Sequence, residues 1–433
     1  MYREHLQTWD DAARQAHQAA RFDALAARLR RDNAFYGEAW AALPKDGVTY
    51  RHLHGLPFTT KRQLLADQQA HPPFGRNLTQ PPRDYSRIHQ TSGTTGVPLR
   101  VLDTPESWDW WGECWRYVLD AAGVTADDRV MLAFSFGPFI GFWAAQHAVG
   151  RLGALLVPGG GMSSPQRLAA IRQLGVTVLV CTPSYALHLG SEARGQGLDP
   201  QRDLPVRITL HAGEPGASVP ATRARIEALW GAQCFDHTGA SEVGAHGFSC
   251  MARSGIHINE AEFIAEIVDP ETGEPVAEGG AGELVLTNLG RSAFPVVRYR
   301  AGDLVQAAPR GSCACGRSWL LLAGGILGRI DDMVCIRGVN VFPAAFQDIF
   351  NGLPGIGEHR ITAYRQGELD ELHVEYVAEA PDDRRPAIAN LIRERLGIRV
   401  SLQQRLPGDL PHFELKAQRF FDRRGDGWRP EAG

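Results

Sequence analysis

Residues 89–98 read His89-Gln90-Thr91-Ser92-Gly93-Thr94-Thr95-Gly96-Val97-Pro98. Two glycines remove Cβ bulk, and the hydroxyls stand beside free backbone N–H groups. That chemistry suits a polyphosphate. A Ser/Thr/Gly surface turn has the same composition, so the loop alone leaves both readings open. It lacks the Lys-Ser/Thr ending of a Walker loop and is not that of a P-loop NTPase.

On either side of this loop the chain alternates. Apolar, strand-like runs at Val130–Phe134, Ala154–Val157, Val176–Cys181 and Arg207–Leu210 are separated by helix-like stretches such as Ser164–Leu174 and Val219–Trp230. Strands alternating with helices predict an α/β layered fold around a largely parallel sheet. From about residue 255 short strands dominate (Phe263–Val268, Gly282–Leu286, Pro295–Tyr299), with an Asp269-Pro270-Glu271-Thr272-Gly273 turn among them. This predicts a β-rich subdomain. After Gly328 a mixed segment predicts a small α+β domain: strand Val334–Arg337, helix Pro343–Phe350, strand Glu371–Tyr376 and helix Arg384–Leu396. At the other end, residues 1 to about 40 read as two helices, and 55–85 as a proline-rich irregular stretch.

The chain has 433 residues, long enough for two or three domains and a large core without disulfide staples. Lys plus Arg number 45 against 49 Asp plus Glu, a formal charge of −4, which argues against a broadly basic nucleic-acid binder. Hydrophobic residues at 44 % exclude wholesale disorder. The most apolar stretch, Met131–Ala145, is interrupted by Gly137, Pro138 and Gly141 and is shorter than the ~20 residues a bilayer span needs. The N-terminus carries no apolar signal region. Seven widely spaced cysteines fit a reducing compartment, so a cytoplasmic protein that binds no membrane is expected, one that could pair as a homodimer.

Further segments turn the loop into a pattern. Ser-Gly-Thr-Thr-Gly-x-Pro resembles the phosphate loop of the adenylate-forming superfamily of acyl-CoA synthetases and adenylation domains. In that superfamily's order follow Ala212-Gly213-Glu214-Pro215, Asp236-His237-Thr238-Gly239-Ala240-Ser241-Glu242, Arg298-Tyr299-Arg300-Ala301-Gly302-Asp303-Leu304, Gly328-Arg329-Ile330-Asp331-Asp332 and Leu410-Pro411 with Lys416. Two stretches, 181–187 and 331–343, are similar to the phenylacetate-CoA ligases within it. The resemblance implies a large AMP-binding domain over 1–329, with the β-rich subdomain at about 250–328, and a mobile C-terminal lid over 330–433.

It also implies a two-step reaction. A carboxylate attacks the α-phosphate of ATP to give an acyl-adenylate and pyrophosphate, and a thiol, usually coenzyme A, then displaces AMP. An aromatic carboxylic acid is the substrate expected from the phenylacetate-CoA ligase likeness. Transfer to a carrier-protein thiol or an amine is the alternative, and a non-catalytic nucleotide-binding homologue a third reading. Ser92, Gly93, Thr94, Thr95 and Gly96 would wrap the β- and γ-phosphates. Glu242 would hold Mg²⁺, a hard ion suited to carboxylate and phosphate oxygens, and Ser241 would contact the α-phosphate. Gly213, Glu214, Pro215, Asp236, His237 and Thr238 would surround the adenine. Asp303 would accept from the ribose hydroxyls with Arg329 nearby. Lys416 would meet the charge developing on the carboxylate and α-phosphate, and Asp331 would be the hinge. Val97 stands where many members carry lysine, and Thr238 where an aromatic is common.

Phe134-Ser135-Phe136-Gly137-Pro138-Phe139-Ile140-Gly141-Phe142-Trp143 is unusually aromatic and could form a flat slot for an aryl ring. The resemblance tilts Phe136, Gly137 and Phe139 toward the acid, with Ala212, His211 and His237 at the far end. Finally, Cys250, His257, Cys313 and Cys315 offer three thiolates and one imidazole, the ligand set of a closed tetrahedral Zn²⁺ site. Four protein ligands leave no open position, so such a zinc is structural. Cys114, Cys181, Cys234 and Cys335 read as core.

Overall fold

The computed structural model describes residues 1–433 except 44–46, 92–97, 135, 139, 142, 215, 278, 331–333, 337–338, 367–368, 379–383, 412–418 and 431–433. The expectations for Ser92–Gly96, Phe139, Pro215, Asp331 and Lys416 therefore fall outside the described residues.

The apolar runs of the α/β region become one eight-stranded sheet. Its order is Leu321–Ala323, Gly255–Ile258, Gly244–Phe248, Gln233–Ala240, Ile208–His211, Val178–Cys181, Arg129–Leu132, Leu155–Pro158. The five strands from Gln233–Ala240 to Leu155–Pro158 pair in parallel, and the other three are antiparallel. Strands buried on both faces read as near-continuous apolar runs, and Val130–Leu132 and Val178–Cys181 are such runs. Val130, Leu132, Val178, Val180, Ile208 and Leu210 enter the largest core; Met131, Leu179, Cys181 and Cys234 enter the second, on the opposite face. Helices Ser164–Leu174, Pro183–Gly195 and Pro220–Trp230 pack on that second face through Leu168, Ile171, Ala186, Leu189 and Ile226.

The β-rich subdomain is a four-stranded antiparallel sheet, ordered Phe263–Val268, Ala281–Asn288, Tyr299–Gln306, Gly328–Arg329. Its 269–273 turn forms as expected: the Asp269 carboxylate accepts the Glu271 and Thr272 N–H groups, and Gly273 supplies a φ of 74°. The C-terminal segment builds a separate four-stranded sheet, Ser401–Arg405, Leu369–Ala378, Ile356–Gln366, Phe420–Asp422, with helices Pro343–Asn351 and Arg385–Leu396. Its core is its own, running from Val334 to Ile398. No helix among the described residues is long and apolar enough to cross a membrane.

Three expectations need correction. The first 40 residues hold three helices, Glu4–Gln7, Asp11–Asp32 and Ala34–Ala39, because Asn33 breaks the run and caps the next helix through Tyr36 N–H (3.1 Å). The stretch 55–85 contains helix Lys61–Ala70, started by a Thr60/Gln63 capping box between flanking prolines. Pro295–Tyr299 is no strand. Arg298 takes a left-handed φ of 46° so that its buried guanidinium reaches the His54 and Leu56 carbonyls and the Glu266 carboxylate, and the strand starts only at Tyr299.

Candidate active site and metal cluster

The C-terminal ends of the parallel strands converge on one side of the sheet, where ligands of such sheets bind. The strand Ile208–His211 runs into Ala212-Gly213-Glu214. Gly213 adopts a φ of 92°, which glycine tolerates. The turn aims the Glu214 carboxylate at the first turn of helix Pro183–Gly195, where Oε1 accepts the Ser184 N–H at 2.6 Å. A carboxylate there meets unsatisfied N–H groups and the positive end of the helix dipole.

The neighbouring strand, Gln233–Ala240, carries the next motif. The buried Asp236 carboxylate accepts the Ser218 N–H (2.8 Å) and the His237 N–H (3.0 Å), and burial pushes its pKa up to about 6. His237 sits on the Trp115 ring with centroids 4.3 Å apart. Burial holds its pKa near 4, so it is neutral at pH 7. Its Nδ1 lies 2.7 Å from the Gly247 carbonyl, which only accepts, so the proton is on Nδ1 and Nε2 is an acceptor. Thr238 Oγ1 bonds His246 Nε2 at 3.3 Å. Gly244, which closes this turn, has no room for a side chain: a Cβ there would lie 2.6 Å from Trp110 and 2.7 Å from Phe263.

His211 and His237 do not share a pocket. His211 pairs with Asp236 in register, so His237, one residue on, points through the other face of the sheet. His211 lies with Cys181, whose carbonyl accepts its Nδ1–H at 3.1 Å. His237 instead joins the core that Phe134, Phe136 and Ala212 pack against.

Two carboxylates stand at the strand Tyr299–Gln306 of the β-rich sheet. Glu242 is buried, and its Oε1 accepts the Tyr299 hydroxyl at 2.7 Å. Burial and that carboxylate raise the Tyr299 pKa well above its usual value, so it stays a donor. Asp303 stands opposite Arg329 across the strand pair, and Arg329 Nη1 donates to Asp303 Oδ1 and to the Ala301 carbonyl, both at 2.8 Å. Burial raises the Asp303 pKa and Arg329 opposes the rise.

One supporting pair gave no sequence signal. Arg291 and Asp103 are both fully buried and joined by two hydrogen bonds, Nε–Oδ1 at 2.8 Å and Nη2–Oδ2 at 2.6 Å. The remaining arm, Nη1, donates to the Ser241 carbonyl at 2.6 Å. A charged, planar fork anchored at both ends thus fixes the backbone that presents Ser241 and Glu242.

In the aromatic loop, Phe136 packs edge-on against Trp143 at 4.6 Å, and Trp143 Nε1 donates to the Gly137 carbonyl at 3.2 Å. The Gln90 N–H donates to the Pro138 carbonyl at 2.7 Å. This ties the aromatic loop to the strand that leads into residues 92–97.

Apart from these residues, Cys250, His257, Cys313 and Cys315 come together, with all four ligand atoms within 4.8 Å of one another. Cys250 and Cys313 sulfurs are 3.5 Å apart, and Cys315 Sγ lies 3.4 Å from His257 Nε2. Tetrahedral zinc with bonds of about 2.3 Å to sulfur and 2.0–2.1 Å to nitrogen sets ligands roughly 3.5–3.8 Å apart, so the cluster fits that ion. Gly255 makes the approach feasible, since a Cβ there would come within 2.1 Å of the Leu322 carbonyl on the strand paired beside His257. Cys114, Cys181 and Cys234 are buried as expected.

Comparison with known proteins follows the same outline. The family of AMP-binding enzymes matches residues 24–291, and the AMP-binding enzyme C-terminal domain matches 338–424. The phenylacetate-coenzyme A ligase of Pseudomonas putida is 34 % identical over 396 residues, covering 88 % of this chain and 87 % of its own. That of Thermus thermophilus is 32 % identical over 442 residues, covering 96 % and 97 %. Among solved structures, 2-hydroxyisobutyryl-CoA ligase in its postadenylation state is 27 % identical with a TM-score of 0.91 over 97 % of this chain and 92 % of its own. The same enzyme with coenzyme A in its thioesterification state gives 0.73 over 98 % and 92 %.

Proposed function

Because the chain belongs to the AMP-binding, adenylate-forming enzymes, as an AMP-forming acid–thiol ligase of the phenylacetate-CoA ligase type, we propose that its acid is aromatic and its acceptor coenzyme A. The carboxylate oxygen attacks the α-phosphorus of ATP and pyrophosphate leaves. The thiol sulfur then attacks the acyl carbon and AMP leaves. The observation that carries the aryl reading is the aromatic wall: Phe136, braced edge-on by Trp143, lies in the core that also takes in Ala212 and the Trp115–His237 stack. Flat rings pack an aryl group with edge-to-face contacts a small aliphatic acid cannot make.

The remaining roles follow from what each side chain has left to offer. Asp303, with one oxygen on Arg329, accepts from ribose hydroxyls. Glu242 keeps an oxygen beyond its Tyr299 bond and is the residue that would hold Mg²⁺, which would neutralise phosphate charge. Ser241 faces the α-phosphate from a backbone clamped by Arg291. Gly213, Glu214, Pro215 and Thr238 shape the adenine slot. The Asp236 carboxylate is already bonded to Ser218 and His237, so it contributes shape rather than a free acceptor. The 92–96 loop takes the outer phosphates and Lys416 the reacting carboxylate.

Phe136→Ala tests the acid. It should lower kcat/KM for aryl acids about 10–200-fold, the usual value of a lost apolar contact, and leave the KM for ATP nearly unchanged. An unaltered acid profile would remove Phe136 from the pocket and the aryl reading with it.

The Cys250/His257/Cys313/Cys315 cluster would hold a structural zinc that pins the Gly255–Ile258 strand to the 310–317 turn. Metal analysis should find about one zinc per chain. Cys313→Ser should lower thermal stability while the surviving folded protein keeps its kcat. A metal-free wild type of full stability would contradict this.

A further inference from the structure

The N-terminal region and the C-terminal segment have separate cores, so packing alone does not lock their orientation. Where they meet, the last residue of helix Pro343–Asn351 reaches the first turn of helix Pro220–Trp230. Asn351 Nδ2 donates to Thr222 Oγ1 at 2.7 Å, and Asn351 Oδ1 accepts from Arg225 Nη1 at 3.3 Å. Both ends of one amide are used. Arginine can only donate, so its position fixes which end of the amide is oxygen and turns the NH₂ toward Thr222. Thr222 is buried and Asn351 half-buried, which keeps water from replacing these bonds freely. Elsewhere along the joint, a Cβ on Gly328 would lie 2.7 Å from the Phe342 ring, and Gly352 sits close to Ala221.

The whole chain, in this orientation, overlays the postadenylation state of 2-hydroxyisobutyryl-CoA ligase with a TM-score of 0.91 but its thioesterification state with only 0.73, at nearly equal coverage. The orientation that the Asn351 amide bridges is therefore the one that matches the postadenylation arrangement.

From these two observations we infer that Asn351 is an interdomain latch: with Thr222 and Arg225 it holds the C-terminal domain in the adenylate-side orientation and must release before the thiol step. Asn351 touches no substrate and acts by positioning the domain. The inference rests on the two-step reading above. A latch worth one or two hydrogen bonds shifts a two-state balance about tenfold, enough to bias it and weak enough to open in each cycle.

The test uses the full chain, with Asn351→Ala and Thr222→Val. Adenylate formation from acid and ATP should fall about tenfold in Asn351→Ala, and less in Thr222→Val. Conversion of separately supplied acyl-adenylate to thioester should hold or rise. Thermal unfolding shows whether each variant is folded. Small-angle scattering without substrate reads the orientation directly, and Asn351→Ala should depart from the wild-type curve. Equal loss in both half-reactions, or no loss in either with superimposable scattering, overturns the latch. If the wild type activates no acid, the two-step reading fails, and scattering alone still decides the latch.

Discussion

Lys416→Ala should slow acyl-adenylate formation about 10²–10³-fold in a protein that stays folded and still binds ATP. The attacking carboxylate and the α-phosphate are both anionic, and charge on the phosphate oxygens grows as pyrophosphate departs. A preorganised cation at that point acts on the transition state more than on bound substrate, and losing one such contact costs about this much. Asp303, Arg329, Glu242 and Tyr299 are untouched, so the KM for ATP should move little. Thioester formation from supplied adenylate should also survive, because that step breaks the acyl–phosphate bond without needing this lysine. Pyrophosphate release in single turnover is the measurement. Adenylate formed at the wild-type rate would show that Lys416 is not the residue.

Asp103→Ala should destabilise the fold by about 3–5 kcal/mol, more than any other single polar change near the site. It strands the Arg291 guanidinium, fully buried between Trp111 and Phe294, without its counter-charge. Replacing both partners by apolar residues, Asp103→Leu with Arg291→Met, should recover most of the stability, since a buried ion pair is worth little over a packed apolar pair. It should not recover activity, because Arg291→Met removes the donor to the Ser241 carbonyl. Denaturant unfolding and adenylate formation, measured on both variants, separate these effects. Asp103→Ala with wild-type stability would mean that the pair is not closed in solution.

The fold was legible because parallel strands buried on both faces leave near-continuous apolar runs, and Val130–Leu132 and Val178–Cys181 are such runs. The Cys250/His257/Cys313/Cys315 cluster was legible because thiolates and an imidazole in one set point to few other uses, although its members lie in two stretches more than 50 residues apart. At Thr60-x-x-Gln63 a local capping box starts a helix inside a stretch whose prolines give it an irregular composition. Arg298 could not be read locally. Its left-handed backbone follows from bonds to His54, Leu56 and Glu266, all distant in sequence.

The candidate site divides in the same way. Glu242 and Asp303 stood out only in register with other motifs, since one carboxylate in a turn is commonly a solvated turn former. Asp103 was masked by its position just before Thr104, the N-cap of helix Pro105–Ala121, where acidic residues are ordinary. Its partner is 188 positions away. His211 and His237 look alike as histidines on neighbouring strands, and only the pairing of Ile208–His211 with Gln233–Ala240 sends them to opposite faces.

The most direct measurement incubates the protein with ATP, Mg²⁺, coenzyme A and one acid at a time, from benzoates, phenylacetates, cinnamates and small aliphatic 2-hydroxy acids. Pyrophosphate, AMP and thioester are quantified together. The account predicts that at least one aryl acid yields the three products in equal amounts and that the aliphatic acids yield little. Preference for the aliphatic acids, or AMP release without coenzyme A thioester, would contradict it.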